Sequence, residues 1–306
     1  MGPTASGKTD LAIELSRKLP IEIINVDSVL VYKELDIGSA KPSEKIRAEI
    51  PHHLIDIISP DQSYSVARFL KDVTAAIHLI KNKNKIPLLV GGTMLYFKAL
   101  REGLASIPPI EAFIREKVRA QNLEALYQNL SDFDPISASR IHPNDRQRIQ
   151  RAVEVYYATG KSLSTWLQES SQNSTDAPLL QIALLPSDRQ ELHLYLAKRF
   201  HNMLEQGLIK EVENLKHKYD LSAESSAMRS VGYRQVWQYL AGEISHETMI
   251  ESAIAASRQL AKRQLTWLRN WSEVEFIYSH QPDTLIQLSK IITEFINKKN
   301  THEYYS

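Results

Sequence analysis

The chain has 306 residues, a length that suggests roughly two domains. A net charge of only +1 leaves no global field to draw it onto nucleic acid or an anionic membrane, so a polyanionic partner would need local basic patches. The absence of cysteine excludes disulfides, thiolate nucleophiles and cysteine-ligated zinc, and with no apolar run of about 20 residues and no signal-peptide pattern the expectation is a cytoplasmic protein that does not enter a membrane.

The first motif lies at residues 2–9, GPTASGKT. Gly2, Pro3, Thr4, Ala5, Ser6, Gly7, Lys8 and Thr9 match the P-loop pattern G-x-x-x-x-G-K-[ST]. In such a loop the backbone N–H groups around Ala5–Lys8 converge on phosphate oxygens at a helix N-terminus. Lys8 adds a point charge, and the Thr9 hydroxyl is placed to ligate Mg²⁺. The pattern implies a bound di- or triphosphate without saying which. Only Met1 precedes Gly2, although a P-loop turns out of a buried strand. The expectation is therefore that Met1 is internal and the natural start lies upstream.

Helical periodicity follows over 9–19 and 64–82, and apolar runs at 21–27, 52–58 and 86–92 read as strands. Strands apolar throughout and separated by helices indicate a parallel α/β sheet. Asp27 ends the first of these strands, where ligands of open α/β sheets bind. It has three readings: a metal ligand, a general base, or the N-cap of a turn. The strand at 86–92 ends in glycines and offers no acid, which gives ATP hydrolysis little support.

SIPPIEAF (106–113) breaks the pattern, and 111–168 reads as helical, rich in Gln and Arg, without a strand. The polar stretch 168–178 reads as a loop. A strand at 179–185, helices near 187–218 and 246–271, a strand at 274–278 and a closing helix complete the chain. The fold expected is α/β, a P-loop-type parallel sheet with flanking helices and an all-helical insertion. Its parts are 1–104 and 177–306 for the core and 105–176 for the insertion.

Two basic stretches stand out. Arg140, Arg146, Arg148 and Arg151 surround the start of a helix with Pro143 in its first turn, and Ile149, Val153 and Tyr156 mark its core face. In the second, Ile254, Ala261, Leu265 and Leu268 form an apolar stripe flanked by Arg258, Lys262 and Arg269. Each basic face reads either as an RNA contact or as a solvated helix surface. His52 and His53, adjacent on a strand, point to opposite faces and cannot easily chelate one ion. Trp267 and Trp271 read as packing.

Seven blocks in order, GPTASGKT, NVDSVLVYKELDIGSAKPS, PHHLIDI, LLVGGTMLYFKAL, RIHPNDRQRIQRA, RSVGYRQ and RQLAKRQLTWLR, resemble the tRNA dimethylallyltransferases, or tRNA isopentenyltransferases, of bacterial type. The resemblance implies transfer of a dimethylallyl group from its diphosphate to the exocyclic amine of an adenosine beside the anticodon. It implies that the P-loop holds the prenyl donor's diphosphate, with Mg²⁺ on Thr9, and that Asp27 is the general base. Arg199, in RFHNML, becomes a further diphosphate contact; by itself it would read as a solvated helix residue. Segments matching tRNA contacts are Asp27, Ser28, Val29 and Leu30; Gln147, Arg148, Ile149, Gln150 and Arg151; and Arg229, Ser230, Val231, Gly232, Tyr233 and Arg234. Thr93 and Arg115 match single contact positions. The partners implied are the tRNA anticodon stem-loop and dimethylallyl diphosphate, with the enzyme a monomer. The rivals are a prenyltransferase of free adenine nucleotides, a P-loop kinase of a small metabolite, and a non-catalytic RNA binder.

Overall fold

The computed structural model describes residues 1–170 and 179–303, so the loop expected at 168–178 lies almost wholly outside the described residues. Two compact units are present, Met1–Phe97 with Pro178–Ser306, and Lys98–Ala177.

The first unit opens with α1 (Lys8–Lys18), β1 (Ile21–Val26), α2 (Glu44–Glu49), β2 (His52–His53), α3 (Val66–Lys81) and β3 (Ile86–Gly91), and then α4 (Met94–Glu102) begins. Every residue of β1 is buried, as its apolar run requires of a central strand. It pairs in parallel with β3 from Ile21–Ile86 to Val26–Gly91, and with β2 at Ile23–His52 and Ile24–His53, giving the order β2-β1-β3. The strand expected over 52–58 stops after two residues. Leu54 and Asp56 take positive φ values of 62° and 56°, which end an extended chain. Asp56 is held there by Lys41 at 2.5 Å and Arg47 at 2.6 Å.

The second unit is helical among its described residues: α5 (Ala112–Arg119), α6 (Leu123–Phe133), α7 (Pro135–Arg140), α8 (Arg146–Thr159) and α9 (Leu163–Ser170). The side chains of Asn122, Asp134 and Asp145 cap α6, α7 and α8. Gly160 ends α8 in the left-handed conformation that favours glycine, φ 67°. Val118, Leu126, Leu130, Ile149 and Val153 form its fully buried core.

The first unit then resumes with β4 (Ile182–Leu185), α10 (Arg189–Glu205), α11 (Leu208–Lys218), α12 (Tyr233–Leu240), α13 (His246–Arg269), β5 (Glu275–Tyr278) and α14 (Thr284–Glu303). β4 and β5 form a second parallel pair. Met1 bonds to β4 as a neighbouring parallel strand would: its amino group donates to Ile182 O at 2.7 Å, and Leu184 N donates to Met1 O at 2.9 Å. A core of Tyr32, Leu35, Phe200, Leu208, Tyr233 and Met249 packs α10–α13 against the chain after β1.

Candidate active site

The P-loop owes its shape to two left-handed residues, Ala5 (φ 64°) and Gly7 (φ 71°). Gly7 precedes α1 and supplies no side-chain cap, so the helix's first N–H groups remain for a ligand. Lys8 opens the helix, and its Nζ donates to Pro3 O at 2.6 Å. Burial, with the nearby positive charge of Arg199, pushes the Lys8 ammonium down to about 8, against the opposing pull of Asp27. Thr4 N donates to Gln264 Oε1 at 2.8 Å.

A cavity of about 170 Å³ joins this loop to the end of β1. That is an order of magnitude more than the roughly 10–15 Å³ one water needs. Thr4, Ala5, Lys8, Thr9, Asp27 and Arg199 line it. Asp27 follows the last residue of β1, and its Oδ1 accepts from Val29 N at 2.8 Å and Leu30 N at 3.3 Å. The turn-capping reading is thus satisfied by one oxygen, while Oδ2 makes no hydrogen bond among the described residues. The turn is braced by Thr93, whose Oγ1 accepts from Ser28 N at 3.1 Å. Arg199, on α10, donates from Nη2 to Ser39 O at 3.5 Å, and burial lowers its pKa against the pull of Asp27.

The loop opposite, Asp36–Gly38, is held by one carboxylate. Glu211 accepts from Asp36 N at 3.1 Å, Ile37 N at 2.7 Å and Gly38 N at 3.2 Å, and from Tyr233 Oη at 2.7 Å. A Cβ on Gly38 would lie 2.6 Å from the Tyr233 ring, so the loop closes here only on glycine.

Among the oxygen-bearing side chains lining the cavity are the Thr9 hydroxyl, at the start of α1, and the Asp27 carboxylate. Hard oxygen ligands of this kind suit magnesium, which takes one or two protein oxygens and fills its octahedron from phosphates and water.

Of the residues expected to meet tRNA, Asp27, Val29, Leu30, Val231 and Gly232 share this cavity, and Ser28, Arg229 and Arg234 are exposed. Tyr233 is corrected: its ring is fully buried and its hydroxyl is spent on Glu211, so its side chain cannot reach RNA. Ile149 is corrected likewise, being fully buried in the second unit's core. Around it Arg146, Gln147, Arg148 and Arg151 are exposed, as is Arg115 on α5. His52 and His53 bind separate partners, Ile50 O at 2.7 Å and Glu22 Oε2 at 2.8 Å.

Gln264 escaped the sequence reading. The stripe expected on α13 ran through Ile254, Ala261, Leu265 and Leu268; the buried positions are Met249, Ala253, Ala256, Ala261, Gln264 and Leu268, with Ile254 and Leu265 only partly covered. A glutamine three residues after one buried position and four before the next was the available signal.

Comparison with known proteins gives the family. The family described as "IPP transferase" matches residues 30–271, and one described as "Isopentenyl transferase" matches residues 1–51. The tRNA dimethylallyltransferase of Thioalkalivibrio sulfidiphilus is 51% identical over 95% of this chain and 92% of its own length. That of Neisseria meningitidis serogroup A is 53% identical over 88% of both. A crystal structure of a eukaryotic dimethylallyltransferase acting on tRNA superposes with a TM-score of 0.81, at 28% identity, covering 97% of this chain and 78% of that one. With the P-loop, the aspartate that follows β1 and the α10 arginine in one cavity, and these matches spanning both units, the chain belongs to the tRNA dimethylallyltransferase family.

Proposed function

We propose that this chain transfers a dimethylallyl group from dimethylallyl diphosphate to the exocyclic amine of an adenosine next to the anticodon of tRNA. The observation that carries the reading is the meeting of phosphate-binding and proton-accepting groups in one cavity: the P-loop, Lys8 and Arg199 together with Asp27. The amine nitrogen forms a bond to C1 of the prenyl group as the C1–O bond to diphosphate breaks. The proton released from the amine passes to the Asp27 carboxylate. An adenine amine is a weak nucleophile because its lone pair is delocalised into the ring, and a base in place is worth about 10²–10⁴-fold. Charge gathers on the departing diphosphate, where the loop N–H groups, Lys8 and Arg199 are already fixed; such preorganised charge is the larger catalytic term.

Magnesium dependence is part of the reading. Thr9, with Asp27 nearby, would hold the ion, which would supply further positive charge to the leaving group. The acceptor base has to leave the stack of the anticodon loop to enter the cavity, at a cost of a few kcal/mol. The exposed arginines of α8 suit the phosphates of that stem-loop. The enzyme acts as a cytoplasmic monomer in this reading.

Unmodified tRNA with an adenosine-rich anticodon loop, incubated with dimethylallyl diphosphate and Mg²⁺, should yield prenylated adenosine on digestion and mass spectrometry. Asp27→Ala should lower the rate by about 10²–10⁴-fold with tRNA binding retained. A folded, tRNA-binding wild-type protein that makes no such product would overturn the reading, and ATP turnover without RNA would favour a kinase.

A further inference from the structure

Gln264 is 8% exposed and lies in the C-terminal third of α13, on the buried face between Ala261 and Leu268. Both ends of its carboxamide are used. Oε1 accepts from Thr4 N in the P-loop at 2.8 Å, and Nε2 donates to Gly92 O, just past β3, at 2.9 Å. The approach is close enough that a Cβ on Gly92 would lie 2.4 Å from Nε2. From Gly92 the bonds continue. Thr93 N donates to Val26 O at 3.3 Å, and Thr93 Oγ1 accepts from Ser28 N at 3.1 Å. Asp27 is the residue between Val26 and Ser28. One side chain therefore begins an unbroken series of contacts from the loop that cradles phosphate to the turn that carries the carboxylate.

We propose that Gln264 is a positioning residue for the transfer reaction, fixing the distance between the donor diphosphate and the Asp27 carboxylate. This rests on the prenyl-transfer reading above. An apolar side chain of similar size would fill the same space but leave the Thr4 N–H and the Gly92 carbonyl unpartnered. A neutral carboxylic acid would satisfy both groups, its carbonyl accepting and its hydroxyl donating. An ionised carboxylate can only accept, and would face the Gly92 oxygen with like partial charge.

The test is the ratio of kcat in Gln264→Glu to wild-type kcat between about pH 5.5 and pH 9, with folding verified by circular dichroism at each point. Taking the ratio cancels whatever the ionisable groups around the site, Lys8, Asp27, Arg199, His52 and His280, contribute equally to both proteins. The ratio should lie near one at the acid end and fall by about tenfold or more as the introduced carboxyl ionises, since a misplacement of about 1 Å can cost about 10²-fold. KM for tRNA should stay within about twofold throughout. A ratio that does not change with pH would overturn the proposal, because a purely structural role lowers the amount of folded enzyme and not its protonation-dependent rate. A folded Gln264→Met variant with wild-type kcat would overturn it as well. Wild-type enzyme that makes no prenylated adenosine would instead overturn the reading on which the proposal rests.

Discussion

Lys8 combines burial with proximity to another cation, and both lower its affinity for a proton. In the free protein its ammonium is lost as pH rises through about 8, well below the usual lysine range. A bound diphosphate reverses the balance by supplying opposite charge. The KM for dimethylallyl diphosphate should therefore climb between about pH 7 and pH 9.5, and the slope should vanish in Lys8→Met, whose KM is high throughout. Steady-state kinetics across that range checks it; a flat wild-type profile would show that Lys8 does not meet the donor. The residues of this loop were legible in sequence because they occupy eight consecutive positions with a fixed spacing. Asp27 was legible as the acid at a strand end, but not its division of labour, in which Oδ1 caps the turn. Gln264 was not legible in the same way, since its two partners lie at Thr4 and Gly92, far off in the chain.

Among the elements, α8 presents Arg146, Gln147, Arg148 and Arg151 to solvent while Ile149 and Val153 are sealed in the helical core. Helical periodicity was enough to separate those faces, and it is also what removes Ile149 from the contact surface. Arg148 makes a loose pair with Asp145 at 3.4 Å, and its side chain remains 71% exposed, so it has little structural work to do. Replacing Arg148 by Ala should change stability by less than about 0.5 kcal/mol. It should weaken tRNA binding at low salt and reduce the slope of log affinity against log salt by about 0.7–0.9. Titrations at several salt concentrations measure this, and an unchanged slope would mean that Arg148 meets no phosphate. Patterning misleads at β2, where the apolar run 52–58 reads as a longer strand than the two residues that pair. The charges of Lys41 and Arg47 on Asp56 decide the backbone there, and they come from a segment that strand patterning does not consult.

Over the whole molecule, no helix among the described residues is long and apolar enough to cross a membrane. Its sheet is secured by a buried acid at the start of β1. Glu22 is 1% exposed and meets His53 at 2.8 Å, Lys85 at 3.0 Å and Lys83 at 3.2 Å. Burial alone would raise its pKa; the bonds from His53, Lys85 and Lys83 outweigh it and hold the carboxyl at about 2. A folded pKa below the unfolded value of 4.5 gives stability that is fully present above about pH 4.5 and is lost as pH falls towards 2. Glu22→Gln should cost about 1.5–3 kcal/mol at neutral pH, and urea titrations should show that gap closing with acid below about pH 4.5. A gap constant with pH would contradict the assignment. The bond from Thr4 to Gln264 also fixes an order in time, because its partners are 260 positions apart. At about 5–20 residues per second a ribosome takes roughly 13–52 s to make that span. The phosphate loop is thus made well before α13, and it waits out that interval before the side chain that fastens it exists.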